Sequence, residues 1–498
     1  MSGDAASPAT IALSLISHTN AGKTTLARTL LGKDVGEVRD APNVTLESTQ
    51  FPLISTTQGD ALMLWDTPGF GDSARLARRL SQQGNPIGWF LTQVWDRFRD
   101  RAFWLSQQAI ANVRNEADVV LYLVNASEAP DDAGYLAPEL SVLEWIGKPV
   151  IVLLNQTGQP RPREDEDADV ARWRDALGAR SVVRAVLSMD AFARCWVQEI
   201  ALLDIVGDLV SDEKKAATGR IVRAWQQRRE AQFDEAIEAI VAPLAAAACD
   251  SAPVPDVGLR GTLADLGKAI GIRDAAANDP KLAASQALAA RLDESIREST
   301  DRLIAIHGLE GRASHVVRQR LTGVHLDAPI DERKAAVMGG MVSGALTGLA
   351  ADLAAGGFTF GAGILTGALV GALGGAGIAR GMNLARGRSG AMLRWDDAVL
   401  QGLVVSALLR YLAVAHYGRG RGDWVETEYP SFWSPLVSRI VESRQSAFAA
   451  IWAQRGVECS AATLAPLLRA PMAAAAREIL DALYPGVLAG TASATTTA

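Results

Sequence analysis

Apolar positions in the first 210 residues fall into short runs: "TIALSLIS" from Thr10, "DALMLWD" from Asp60, "ADVVLYLVNAS" from Ala117, "KPVIVLLNQTG" from Lys148 and "SVVRAVLSM" from Ser181. Each has the length of a buried strand, and the stretches between them carry helical spacing. Strands alternating with helices predict an α/β domain over residues 9–210, built on a doubly wound, mostly parallel sheet. Beyond about Ser211 the pattern turns helical throughout. "GRIVRAWQQRREAQFDEAIEAIVAPL" reads as a long amphipathic helix, "CDSAPVPDVG" breaks it near Cys249, and "DDAVLQGLVVSALLRYLAVAHY" reads as a further amphipathic or buried helix. The expectation is an all-α domain over 211–486, with a polar tail at 1–8 and a disordered tail at 487–498 where large apolar residues are few.

Ala335 to Ala379 departs from both patterns. Glycines recur every fourth residue at Gly340, Gly344 and Gly348, and again at Gly363, Gly367, Gly371 and Gly375. Residues four apart share a helix face, so each run offers bare backbone that a second helix can approach closely. Two such runs around "DLAAGG" predict a glycine-zipper helical hairpin. The 27 uncharged residues from Leu353 to Ala379 are long enough to enter a bilayer, with Arg333, Lys334, Arg380, Arg386 and Arg388 holding both ends on the cytoplasmic side. Gly, Ala and Thr drive insertion poorly and Asp352 is costly in lipid, so a buried hairpin or a contact between copies of the chain suits the stretch equally well.

Composition narrows the class. A chain of 498 residues exceeds what one core normally serves, and 49% hydrophobic against 21% charged residues describe a folded protein. The formal net charge of -7 gives no bulk attraction to nucleic acid or to acidic lipid. Gly258-Leu-Arg-Gly261 has the Gly-x-x-Gly form of an RNA-binding KH module but lies among helical stretches without that module's strands, so it reads as a turn and nucleic acid is not an expected partner. The N-terminus has neither a basic start nor a long apolar run, and a signal peptide is not expected. Cys195, Cys249 and Cys459 lie far apart with no paired spacing, which argues against a disulfide framework or a zinc site; five histidines show no metal spacing either. A reducing cytoplasm is the expected location, with the hairpin offering attachment to the cytoplasmic face of the inner membrane or to a membrane protein.

The chemistry-bearing stretch is "SLISHTNAGKTT", Ser14 to Thr25. Strand, glycine-bearing turn, Lys23, Thr24 and then a helix form the context in which a phosphate loop works, because a helix N-terminus aims N–H groups at anionic oxygens. Ser17 stands where that motif has its first glycine. Lys23 would bridge the β- and γ-phosphates, Thr24 would ligate Mg²⁺, and Ala21, Gly22 and Thr25 complete the loop; His18 is expected to contribute packing or a backbone contact. Asp66 closes an apolar strand before Thr67, Pro68 and Gly69, where its carboxylate would hold Mg²⁺ through water and the Gly69 N–H would meet a γ-phosphate.

With both motifs in this order, residues 9–210 resemble small GTPases of the Era and TrmE type, related to septins and EngA. Asn20, Gly22, Lys23 and Thr24 match the family's phosphate loop, and Asp66 to Gly69 match its Asp-Thr-Pro-Gly. The resemblance implies a first switch in "APNVTLEST", where Thr45 closes on Mg²⁺ and the γ-phosphate, with Ser48 and Thr49 in competition. It implies a base-reading loop at Asn155 and Gln156, with Ser188 on the adjoining loop. The family's aspartate is missing there, Gly158 standing in its place, and a carboxylate from Glu164, Asp165 or Asp190 is the candidate substitute. The acidic run "REDEDAD" otherwise reads as a solvated loop.

Phe70 follows the Asp-x-x-Gly motif where many GTPases carry a glutamine, and a phenyl ring cannot orient water. Relatives with an apolar residue there use K⁺ held by the phosphate-loop asparagine and dimerise across their switches; Asn20 is either that ligand or an amide that fixes the turn. Arg75, Arg78 and Arg79 are candidates for an arginine finger or a solvated helix face. The aromatic stretch from Trp89 to Trp104 reads as an inserted helix or as a nucleotide-dependent docking surface. The expected activity is hydrolysis of GTP to GDP and phosphate, slow without a partner, dimerisation or K⁺, with Lys23, Thr45 and Asn20 catalytic and the nucleotide switching the helical domain. The alternatives are a membrane-associated scaffold with a non-hydrolysing nucleotide site and an ATP-preferring relative of the same fold.

Overall fold

Each of the five apolar runs is a strand in the computed structural model, which describes residues 7–18, 21–32, 49–67, 73–82, 110, 113–158, 160–254, 280–309, 382–387, 390–417, 430–456 and 459–488. They form β1 (Thr10–Ser17), β3 (Ala61–Asp66), β4 (Val119–Asn125), β5 (Val150–Asn155) and β6 (Val183–Ser188), and β2 (Thr49–Ser55) adds an edge strand. The sheet order is β2-β3-β1-β4-β5-β6, parallel throughout except between β2 and β3. β4 and β5 are buried along nearly their whole length, which is why they read as unbroken apolar runs instead of alternating ones. The connecting helices are α1 (Lys23–Leu31), α2 (Ser73–Gln82), α3 (Leu136–Ile146), α4 (Arg163–Leu177) and α5 (Trp196–Leu209). Ile16, Tyr122, Val124, Leu140, Val152 and Trp173 belong to one core against the sheet.

From β1 the chain turns to β2 and β3 on one side, then crosses to β4 on the other. The carboxyl ends of β1 and β4 therefore flank the crevice where open α/β sheets take ligands. The acidic run expected as a solvated loop is instead the start of α4: Glu164, Asp165 and Glu166 occupy its first turn, where the helix dipole favours negative charge.

An ion pair between a fully buried carboxylate and a partly exposed arginine braces the far edge of this sheet. Asp60, in the turn between β2 and β3, accepts from Arg220 Nε at 2.7 Å and Nη2 at 2.8 Å, from the Thr56 hydroxyl at 2.9 Å and from the Ala9 N–H at 3.1 Å. The Arg220 hydrogen bond is the largest influence and holds the Asp60 carboxyl down to about 2 against the opposing effect of burial. A carboxylate with a lowered folded-state pKa contributes stability that is present above about 3.8 and is lost as pH falls through about 2. Asp60→Asn is expected to lower Tm at neutral pH by several degrees and to flatten the acid limb between pH 4 and 2. Thermal melts across that range check it; a variant that keeps the wild-type acid limb overturns it.

These elements lie in one of two compact units, Met1–Ala231 with Ala415–Val425 and Tyr484–Ala498. The other, Gln232–Val414 with Glu426–Leu483, is mostly helical. It holds the second half of α6 (Asp212–Cys249), α7 (Pro280–Ile306), nearly all of α8 (Asp397–Ala415), α9 (Trp433–Ser443), α10 (Gln445–Trp452) and α11 (Ala461–Leu483). Among the described residues α8 is the one helix long and apolar enough to cross a membrane, and 83% of that stretch is buried within the protein. Phe233 meets Tyr411 edge-on at 5.8 Å, and Arg444 pairs with Glu478.

Two expectations for this unit are corrected. It is not all-α: β7 (Ala252–Val254), β8 (Met382–Gly387) and β9 (Gly390–Trp395) form an antiparallel sheet in the order β7-β9-β8. The strands are short, and β7 finds its partner far along the chain, so no local pattern announces the pairing; Pro253 is tolerated because β7 is an edge. The cysteines are not all unpaired either. Cys249 and Cys459 form a disulfide across 210 residues of sequence, with their Cα atoms 5.2 Å apart. Sequence spacing does not measure distance once helices pack, and these residues sit at the end of α6 and just before α11. Cys195 is a free buried thiol, pushed up to about 12 by burial. The hairpin over 335–379, Gly258 to Gly261 and the aromatic stretch 89–104 lie outside the described residues.

Candidate functional site

The site grows from the turn between β1 and α1. Gly22 is the N-cap of α1 at φ 85° and ψ 23°, a left-handed conformation that glycine adopts without a Cβ penalty, and no side chain caps the helix there. A Cβ on Gly22 would stand 2.5 Å from Asn155 Nδ2, so the loop also needs glycine for close approach. Ser17 is different. Among the described residues the one non-glycine with positive φ is Gln156, at 60°, so the chain at Ser17 makes no demand for glycine; its hydroxyl donates to the His18 carbonyl at 2.7 Å.

Lys23 and Thr24 begin α1 and converge on Asp66 at the end of β3. Lys23 Nζ donates to Asp66 Oδ1 at 3.0 Å, and the Thr24 hydroxyl donates to Oδ2 at 2.8 Å, with all three side chains buried. The register Leu15↔Asp66 between β1 and β3 sets this meeting, and the Thr67 hydroxyl donates to the Leu15 carbonyl beside it. The Thr24 hydroxyl and Asp66 carboxylate are the hard oxygen donors that Mg²⁺ takes, and Mg²⁺ typically needs few protein ligands beside phosphate and water. Among the described residues no group of three or more His, Cys, Asp or Glu could hold a metal.

Asn155, at the end of β5, is fully buried and ties two loops together. Its Nδ2 donates to the Ala21 carbonyl at 2.7 Å, and its Oδ1 accepts from the Ala191 N–H at 2.8 Å. Of the three candidate carboxylates, Asp190 is the one brought to this loop: it accepts from the Thr157 hydroxyl and the Gly158 N–H at 3.1 Å and from the Phe192 N–H at 2.8 Å. Burial pushes its carboxyl upward. Glu164 and Asp165 lie on the first turn of α4. Ser188 ends β6 with its carbonyl accepting from Gln198 Nε2 at 3.2 Å, and Thr25 is buried on α1. Arg78 is exposed on α2 and donates to the Ala74 carbonyl. Asn20, Thr45, Gly69 and Phe70 lie outside the described residues.

One site residue carries no signal in the sequence. Glu139 on α3 is 0% exposed, and its carboxylate receives the Tyr122 hydroxyl at 2.7 Å and lies 2.8 Å from His18 Nδ1. Burial pushes its carboxyl upward, against the opposing effect of the His18 and Tyr122 hydrogen bonds. His18 stacks on Tyr135 at 4.2 Å, so the packing expected of it is present together with a polar tie that was not expected. An acidic residue inside an apolar helix run looks like any surface position until the fold turns it inward.

Residues 174–455, more than half of the chain, match the family described as a domain of unknown function, DUF3482. The chain belongs to the DUF3482 family. In this DUF3482 protein residues 13–156 also match the family described as 50S ribosome-binding GTPase, and that match supports GTP binding and hydrolysis by the N-terminal unit. No curated protein matches the chain. Solved structures similar to it include an Era variant from Aquifex aeolicus bound to GDP and an aluminium fluoride, at 16% identity over 41% of this chain and 57% of that one, with a TM-score of 0.31. Era in complex with MgGDPNP and a segment of 16S ribosomal RNA is similar at 15% identity over the same shares, with a TM-score of 0.31. The chloroplast translocon components atToc33 and psToc159, for whose GTPase activity dimerization is important, give 14% identity over 37% of this chain and 72% of theirs, with a TM-score of 0.26. The DUF3482 chain thus spans 57% of the length of the Era structures it matches.

Proposed function

We propose that the N-terminal unit binds GTP with Mg²⁺, hydrolyses it to GDP and phosphate, and acts as a nucleotide-dependent switch on the helical region. The observation that carries this reading is the convergence of Lys23 and Thr24 on Asp66 at the head of a helix that no side chain caps. Its chemistry is positioning and charge neutralisation, which is most of what phosphoryl transfer requires. Lys23 exchanges a carboxylate partner for phosphate oxygens, and the N-terminus of α1 presents N–H groups to them. Thr24 and Asp66 would hold Mg²⁺, which would supply charge to offset that of the phosphates.

Thr45 would complete the site from the first switch, and Asn20 would hold a K⁺ ion, which would supply positive charge where Phe70 offers no polar group. Turnover is slow until K⁺, a partner or pairing of two copies across the switches completes the site, and the 335–379 hairpin is the proposed route to a membrane or a membrane protein. Gln156 and the Asn155–Asp190 cluster support a base pocket at the carboxyl ends of β5 and β6. Titration calorimetry of GTP, GDP, ATP and ADP with Mg²⁺ tests the reading. Guanine nucleotides are expected to bind at least about tenfold more tightly than adenine nucleotides, the discrimination a few buried hydrogen bonds readily supply. Equal or tighter ATP binding overturns the guanine assignment, and no binding of any nucleotide overturns the function.

A further inference from the structure

The bond between Cys249 and Cys459 closes one end of a helix pair. Cys249 is the last residue of α6, and Cys459 lies just before α11. Farther along the same helices Arg469 reaches Glu238 at 3.1 Å and Asp234 at 3.5 Å, and the Arg477 guanidinium stands 4.5 Å over the Phe233 ring. Away from the disulfide the numbers fall on α6 and rise on α11, so the helices run antiparallel with the cysteines at their shared end.

The two cysteines are anchored unequally. Beside Cys249, Asp250 accepts from Arg291 of α7 through Nε at 2.9 Å and Nη2 at 2.8 Å, and β7 follows at once and pairs with β9. Ahead of Cys459, Arg455 Nη1 donates to the Trp395 carbonyl at 2.9 Å and Arg394 Nη1 to the Gly456 carbonyl at 3.3 Å. After Cys459 the bonds are local: the Thr463 N–H donates to the Ser460 hydroxyl oxygen at 3.2 Å, and the Leu464 N–H to the Ser460 carbonyl at 3.2 Å. Ala462 and Thr463 are exposed, and Leu464 is the first buried residue of α11. Pro466 weakens this turn, because a proline inside a helix offers no N–H to the carbonyl four residues back, here that of Ala462. Both bonded cysteines are partly exposed, which is the access an attacking thiolate needs. Cys195, in contrast, is buried.

We propose that the Cys249–Cys459 bond is a reversible redox clasp, which an external dithiol opens in the folded protein, freeing the first turns of α11 from the end of α6. The clasp does not rest on the nucleotide reading, since its residues all lie in the helical unit. A thiolate of the dithiol attacks one sulfur, the S–S bond breaks, and the other sulfur leaves as a thiolate that takes up a proton. The dithiol's second thiol then displaces the first cysteine from the mixed disulfide. Two electrons pass to the protein, which ends with two thiols, and the dithiol ends as a disulfide. Where thiols are kept reduced the clasp is open at rest and closes under oxidation.

The test uses the full chain purified without reductant. Dithiothreitol followed by iodoacetamide under native conditions is expected to label Cys249 and Cys459 and to leave Cys195 unlabelled, while circular dichroism keeps its folded signal. Oxidised glutathione is expected to restore the bond. Hydrogen–deuterium exchange then compares the two forms. Amides from Thr463 to Leu468 are expected to exchange roughly tenfold faster after reduction, as a helix end frays once its tie is released. Those of α6 from Val241 to Ala248, anchored through Asp250 and β7, are expected to stay within about twofold. Cys249→Ser is expected to match the reduced form with or without dithiothreitol, and reduced wild type answers the same question if that variant does not fold. Labelling that appears only as the circular dichroism signal is lost overturns the clasp. Unchanged exchange at Thr463 to Leu468 also overturns it, as does an equal rise in α6, which marks general loosening. Cysteines that are free in the purified chain and fail to pair with oxidised glutathione rule it out as well.

Discussion

Lys23→Ala is expected to remove GTP turnover, by roughly 10²-fold or more, the scale of losing one preorganised donor to transition-state charge. The reason is geometric. Lys23 is the cation at the start of α1, its ammonium lies 3.0 Å from the Asp66 carboxylate, and both are buried, so no solvated lysine can substitute. The substitution also leaves Asp66 with Thr24 and without its charged partner, and removing one member of a buried pair is strongly destabilising. Lost turnover must therefore be read beside a melt. Single-turnover hydrolysis and circular dichroism, both at a temperature where the variant remains folded, separate the two effects. Wild-type turnover in a folded Lys23→Ala protein would remove the phosphate-loop reading altogether.

Gly22→Ala is expected to cost both stability and nucleotide affinity. An alanine held at φ 85° pays roughly 1 kcal/mol for the left-handed backbone. Its Cβ would also meet Asn155 Nδ2 at 2.5 Å, and the amide cannot retreat without giving up the Ala21 carbonyl or the Ala191 N–H. Each buried group left unpaired adds roughly 1–3 kcal/mol. A total near 3 kcal/mol corresponds to a fall in Tm of about 10 °C for a unit of this size. Calorimetry of the variant checks the first figure, and GDP titration is expected to show at least a tenfold loss. Adding Asn155→Ala relieves the clash, so the two substitutions together should cost less stability than their sum. A strictly additive double variant would show that the two side chains do not meet.

Much of the fold was legible because its signals are contiguous. The runs from Thr10, Ala117 and Lys148 are buried strands whose apolar character reports burial directly, and the turn with Gly22, Lys23 and Thr24 carries its backbone requirements in adjacent residues. The departure at Ser17 was equally plain in the sequence, and the backbone adds that this position has no need of positive φ. The acidic run before Trp173 could have been loop or helix, because charged residues satisfy both, and its placement on the first turn of α4 follows from the dipole of a helix whose other face is packed.

Sequence alone determined that a parallel α/β domain with a phosphate-loop turn comes first and that a mostly helical region follows, since periodicity and turn chemistry act over a few neighbouring residues. Tertiary structure decided what meets what. It brought Asp190 and not Glu164 or Asp165 to the loop after β5, turned Glu139 inward onto His18 and Tyr122, joined Cys249 to Cys459, and built a sheet from β7, β8 and β9. Apart from the consecutive strands β8 and β9, those partners lie from 17 to 210 residues apart, and their pairing depends on how whole elements stack, a quantity no window of sequence contains.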